Sequence, residues 1–192
     1  MIYHNYLEKL FGTKLKINVL RTLYKFKDRS FTLRELSKFS NVTHQGLLKV
    51  LDDFNGMNII KMERIGRAIV IKFNKNSFLT GILNIYKQES DTINELISII
   101  RNYFNHKDFI SVALFGSIVK GDENFNSDID LLIITSNKEL ANKKNEKCNI
   151  KIIERFGNVI MPYTLTKNEF KKSNIKNSII KNHILINGEN LK

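Results

Sequence analysis

Phe109-Ile-Ser-Val-Ala-Leu-Phe-Gly-Ser117, ten further residues, and then Asp128-Ile-Asp130-Leu-Leu-Ile-Ile-Thr135 is the stretch that decides the fold of the C-terminal half. Two apolar runs of strand length flank a polar turn that contains glycine. The first run ends in Gly116-Ser117 and the second begins with two acids one residue apart. Side chains in a strand alternate between faces, so Asp128 and Asp130 point the same way. Two carboxylates on one face at the edge of a buried strand are costly unless a cation sits between them. Hard oxygen donors of this kind suit a divalent ion such as Mg2+.

The chain has 192 residues, enough for one large domain or two small ones. No apolar run approaches the ~18 residues of a membrane span. The start, Met1-Ile-Tyr-His-Asn-Tyr-Leu-Glu8, lacks the pattern of a secretory leader. A single cysteine, Cys148, excludes an internal disulfide and a cysteine zinc cluster. A cytoplasmic protein with no membrane association is expected. The net charge of +12 is unevenly spread. Residues 1–76 hold 15 Lys and Arg against 6 Asp and Glu, whereas residues 108–192 hold 13 against 10. The surplus therefore lies in the N-terminal part and points to a polyanionic partner for it.

Apolar residues at helical spacing predict one helix over Leu7–Phe26. Thr32 with Glu35 forms a capping box for a short second helix, Leu33–Phe39. Thr43 caps a third, His44–Phe54, which Asn55-Gly56 closes. Two strand-like segments, Ile59–Arg64 and Ala68–Phe73, meet at Ile65-Gly66-Arg67 and read as a hairpin. This order, carried by Phe31-Thr-Leu-Arg-Glu-Leu-Ser37 and Val42-Thr-His-Gln-Gly-Leu-Leu-Lys-Val-Leu51, resembles the winged helix-turn-helix family. The resemblance implies that the third helix meets base edges of duplex DNA and that the hairpin touches its backbone. The DNA-contacting residues it implies are Thr43, His44, Gln45 and Lys49 on the helix, with Arg64 and Arg67 on the wing.

Residues 78–104 carry an apolar stripe, Leu79, Leu83, Tyr86, Ile93, Ile97, Ile100 and Phe104. The stripe predicts one amphipathic helix, or two with a break near Ser90-Asp91, linking the two domains. Its apolar face either packs within the chain or forms a homodimer seam. Beyond it the pattern predicts a strand (Phe109–Phe115), a short helix (Ser117–Gly121) and a second strand (Ile129–Thr135). A helix (Lys138–Phe156), a strand (Val159–Leu165) and a final helix (Asn168–Ile186) follow. Pro162 suggests that the third strand lies at an edge or a bulge.

Phe115-Gly-Ser-Ile-Val-Lys-Gly121 followed by Ser127-Asp-Ile-Asp-Leu131 resembles the signature of the minimal nucleotidyltransferases, within the DNA polymerase β-like superfamily. The resemblance covers roughly residues 106–190. It implies Mg2+- or Mn2+-dependent transfer of a nucleoside monophosphate, with AMP favoured, from a nucleoside triphosphate to a protein, RNA or small-molecule acceptor. It implies Asp128 and Asp130 as catalytic metal ligands, and Gly116, Ser117, Lys120 and Ser127 at the nucleotide. Toxin–antitoxin or defence contexts are also implied. The family more often has arginine where Lys120 stands, and it usually draws a third acid from the next strand. That strand, Asn158–Leu165, has none. Glu154 precedes it, Glu169 follows it, and neither is well placed.

The expectation is an α+β chain in three parts. A winged helix-turn-helix occupies 1–76, a linking helix 77–105, and an α/β nucleotidyltransferase domain with a small mixed sheet 106–192. The competing reading is a DNA-binding transcription regulator whose nucleotidyltransferase-like domain binds nucleotide without turnover.

Overall fold

The computed structural model describes residues 6–124 and 126–191. The chain forms two compact units that divide between Ser90 and Asp91.

In the first unit, two helices, α1 (Tyr6–Phe11) and α2 (Lys14–Lys25), replace the single helix expected over Leu7–Phe26. Gly12 allows the break, because a Cβ there would lie 2.2 Å from the Glu8 carbonyl oxygen. Thr13 then starts α2, its hydroxyl accepting the Lys16 N–H at 3.2 Å. A three-residue strand, β1 (Ser30–Thr32), leads into α3 (Leu33–Ser40). The Thr32–Glu35 capping box is present, and Asn41 closes α3 in the left-handed region at φ 52°. Thr43 caps α4 (His44–Gly56), which buries Leu47, Val50, Leu51 and Phe54. That helix runs past the expected stop at Asn55, and the turn falls on Met57 and Asn58, the latter at φ 57°.

The hairpin of β2 (Ile60–Ile65) and β3 (Ala68–Phe73) turns at Gly66, which takes φ +61°. The sheet order is β1-β3-β2, all antiparallel. Strand β1 is too short to show alternation in the sequence. It pairs Phe31 with Ile71 and so seats both rings and branches in the core, where each fully buried apolar side chain contributes about 1.5–3 kcal/mol. A 3-10 stretch, Phe78–Asn84, then precedes α5 (Ile85–Tyr103). Of the two readings of this stretch, the break near Ser90-Asp91 is absent, since α5 runs through it. Ser90 stays helical with its hydroxyl donating to the Lys87 carbonyl at 2.8 Å. The apolar stripe is used inside each unit: Leu79, Leu83 and Tyr86 in the first core, Ile100 and Phe104 with partly buried Ile97 in the second. Of the two uses expected for the stripe, packing within the chain is the one these residues show.

In the second unit, β4 (Phe109–Leu114), α6 (Ser117–Lys120), β5 (Ile129–Thr135), α7 (Lys138–Phe156) and β6 (Ile160–Leu165) stand where the pattern placed them. The helix expected over Asn168–Ile186 does not form as one element. Two short helices, α8 (Lys167–Lys172) and α9 (Lys176–Lys181), give way to a strand, β7 (Ile184–Gly188). Ser173 and Asn182 are extended and interrupt the helical run, and β7 closes against β4 with Ile184 opposite Leu114.

The sheet order is β6-β5-β4-β7, with β5 and β6 parallel and the other pairs antiparallel, so the sheet is mixed. Pro162 lies in the edge strand β6, where a missing N–H costs no ladder bond. One sheet face, with Val112, Leu114, Leu131 and Ile133, packs with Ile100, Phe104, Cys148 and Ile152. The other, with Ala113, Leu132 and Ile134, packs with Phe170 and Ile179. Alternation along β5 assigns Asp130 to this second face, just ahead of fully buried Leu132.

Candidate functional site

The acidic pair lies at the start of β5. Asp128 is exposed, and Asp130 is half-buried one step into the strand. Phe115, one residue past β4, donates its N–H to the Asp130 carbonyl at 3.1 Å, which fixes the strand at the acid. Gly116 follows at φ +77°, and a Cβ built on it would fall 1.9 Å from Asp130 Oδ2. The glycine therefore answers two demands at once: a backbone conformation that L residues rarely adopt, and room for a carboxylate against the main chain.

Burial, and next the negative charge of Asp128, push the Asp130 carboxyl above its ordinary value, while Lys120 pulls the other way. Lys120 is the last residue of the single turn α6, which opens at Ser117. The Ser117 carbonyl accepts the N–H groups of Gly121 and Asp122, at 2.8 and 3.2 Å. Ser127 holds the loop ahead of Asp128. Its hydroxyl accepts the Asn124 N–H at 2.9 Å and its carbonyl accepts Asn158 Nδ2–H at 3.0 Å. Asn124 and Asn158 were not singled out from the sequence, where isolated asparagines read only as turn residues.

The parallel register places Met161 of β6 beside Asp130, and Tyr163 beside Leu132. Paired residues share a face, so Met161 and Tyr163 lie on the acidic side of the sheet, and they are 46% and 39% exposed. The Tyr163 ring meets that of Phe115 edge to face, with centroids 5.2 Å apart. Neither downstream acid is free for the pair. Glu154 on α7 faces Lys151 at 3.4 Å. Glu169 accepts the Thr166 N–H at 2.7 Å and pairs with Lys138 at 2.8 Å, which holds its carboxyl down at about 2. Among the described residues, no three His, Cys, Asp or Glu side chains cluster as a metal-holding group. The donors at the site are thus the two aspartates. Two hard oxygen ligands, one of them raised in pKa first by burial and then by the charge of the other, fit a divalent cation that would offset both.

The second locus is in the first unit. Thr43, His44, Gln45 and Lys49 are all exposed at the start of α4. Gln45 and Lys49, four residues apart, share a helix face. The Thr43 hydroxyl accepts the Gly46 N–H at 3.2 Å, so it serves as a cap. Arg64 near the end of β2 and Arg67 in the turn after Gly66 are exposed at the hairpin tip. No helix among the described residues is long and apolar enough to cross a membrane.

Comparison with curated proteins gives no match. Among solved structures, the chain is similar to "Crystal structure of the toxin-antitoxin with AMP-PNP", at 18% identity and a TM-score of 0.36, over 50% of this chain and 73% of that one. A family model described as "Nucleotidyltransferase domain" matches residues 93–186. That span holds Gly116, Ser117, Lys120, Asp128 and Asp130, so the acidic pair and its glycine turn lie within a segment that the nucleotidyltransferase family model recognises.

Proposed function

We propose that the chain transfers a nucleoside monophosphate, AMP by preference, from a nucleoside triphosphate to a hydroxyl acceptor on a protein, RNA or small molecule. The observation that carries this reading is the Asp130 carboxylate seated against Gly116 with Asp128 beside it, inside the span of the family match. Asp128 and Asp130 would hold a divalent ion, Mg2+ or Mn2+. When bound, that ion supplies positive charge where negative charge accumulates on the transferring phosphoryl group. Lys120 supplies a further cation on the same side, as a point charge rather than a fork. Gly116 keeps the main chain free of side-chain bulk next to Asp130.

The first unit is proposed as a winged helix that carries the activity to duplex DNA. Its support is the β1-β3-β2 sheet, whose β2–β3 hairpin follows α3 and α4, with basic and amide side chains exposed on α4 and on the hairpin. A second reading, nucleotide binding without turnover in a DNA-bound regulator, draws on one observation. The β6 position beside Asp130 is Met161, a side chain that can neither bind a hard cation nor take a proton.

The test is transfer of label from nucleoside triphosphates with Mg2+ or Mn2+ and candidate acceptors. Wild type is compared with Asp128→Ala, Asp130→Ala and the double variant. Loss of a groups' outer support alone costs metal sites about 10–100-fold, so loss of either direct ligand is expected to lower transfer by at least that. Wild-type transfer no greater than that of the double variant, with nucleotide still bound, selects the second reading.

A further inference from the structure

The face that carries Asp130 also carries an aromatic pair, Phe115 and Tyr163, to which no role has been given. Phe115 lies on one side of Asp130, through the N–H it donates to the Asp130 carbonyl. Met161 lies on the other, in register on β6. Tyr163 stands two residues further along β6 on the same face. Strand geometry puts its Cα roughly 8 Å from that of Asp130, one strand across and two residues along. Its ring is held against Phe115 with centroids 5.2 Å apart and an interplanar angle of 69°. Even so, Tyr163 is 39% exposed and Met161 46% exposed. A half-open tyrosine, braced by a second ring and bordered by a polarizable thioether, sits next to the carboxylates on the same surface.

We propose that Tyr163, braced by Phe115 and flanked by Met161, is the stacking platform for the base of the bound nucleotide. This rests on the reading that Asp128 and Asp130 hold the phosphate end through a divalent ion. A nucleoside triphosphate has two chemically different ends, and the two features on this face match them: hard, charged groups for the phosphates and a flat apolar surface for the ring. The separation of the two features leaves room for the sugar. Stacking on a ring face tolerates any base, so the platform orients the nucleotide while contributing little choice among bases. The Tyr163 hydroxyl is not needed for that contact, so the ring alone carries the effect.

The experiment is calorimetric or equilibrium-dialysis binding of ATP and of inorganic tripolyphosphate, each with Mg2+, to the full chain. Wild type is compared with Tyr163→Ala, Tyr163→Phe and Asp130→Ala, with circular dichroism verifying each fold. Base–aromatic stacking is worth about 1–3 kcal/mol, so Tyr163→Ala is expected to weaken ATP by roughly five- to a hundredfold. It should leave tripolyphosphate unchanged, and Tyr163→Phe should bind both as wild type does. Asp130→Ala should weaken both ligands. ATP binding that is equal in wild type and Tyr163→Ala overturns the platform while leaving the phosphate site standing. Equal loss of ATP and tripolyphosphate in Tyr163→Ala also overturns it, as does loss of ATP in Tyr163→Phe. Failure of wild type to bind either ligand overturns the nucleotide reading itself, and the platform with it.

Discussion

Gly116 is the residue on which the acidic site turns, because it meets a conformational and a steric demand together. At φ +77°, with Asp130 Oδ2 1.9 Å from where a Cβ would be, alanine is strained twice over. Gly116→Ala is expected to destabilise the second unit by about 1–3 kcal/mol, read by denaturant unfolding. In an Asp130→Ala background the nearest clash is gone and only the backbone strain remains, so the two substitutions should be non-additive. An additive cycle would show that the carboxylate does not lie against the glycine. Asp130 itself makes a prediction with a sign. Its folded pKa lies above the ordinary 3.8, mainly through burial and then through Asp128. The folded state therefore disfavours the charged form. This penalty is absent below pH 3.8 and grows as pH rises through the folded value. Asp130→Asn should melt with wild type in acid and above it at neutral pH, by less than about 1 kcal/mol because the group is partly solvated. Mg2+ should raise the melting point of wild type and leave that of Asp130→Asn nearly unmoved. A variant that melts below wild type at neutral pH without metal would refute the repulsion.

At the scale of elements, the two capping boxes show what local sequence can specify. Thr32 with Glu35 and Thr166 with Glu169 both start helices, because each needs only partners three residues apart. The second box is also a pH device. Glu169 is lowered from 4.5 to about 2, first by the hydrogen bond from Lys138 and then by Thr166. A lowered carboxylate stabilises the fold above its unfolded pKa and loses that effect as pH falls from 4.5 toward 2. Glu169→Gln should therefore lower the melting temperature at pH 6 and make progressively less difference toward pH 2.5. A difference that persists undiminished at pH 2.5 would assign it to packing. What was not legible is non-local. Strand β7 looks in the sequence like the tail of a helix, because Ile179, Ile180, Ile184 and Ile186 fit a helical stripe nearly as well as a strand whose described partner is β4, some seventy residues earlier. The acidic pair and Gly116 were legible because a strand, a turn and a strand fit within one short stretch. The neighbours Met161 and Tyr163 were not, because β5 and β6 are parallel and joined by the crossover helix α7, so no tight turn between them fixes their register in the sequence.

For the molecule as a whole, charge and chemistry are divided between the two units. Residues 1–76 carry the surplus of Lys and Arg, 15 against 6 acids, while both site aspartates lie in the second unit. If the first unit binds duplex DNA, affinity must fall with salt, since each phosphate neutralised releases condensed counterions. The slope of log K against log salt should lose about 0.9 for each phosphate contact removed. Arg64→Ala with Arg67→Ala removes two exposed cations from the hairpin and should flatten the slope by up to about 1.8, weakening all sequences alike. Gln45→Ala removes an uncharged amide on α4, so the slope should stay as in wild type while discrimination between sequences falls. Nucleotide affinity should be indifferent to all three substitutions, since none lies in the unit that holds the aspartates. The measurement is fluorescence anisotropy of labelled duplexes across a salt series, with ATP binding as the control. A flat salt response in wild type, or a slope that the paired arginine substitutions leave untouched, would remove DNA from the function of this unit and leave its basic surface as a property of composition.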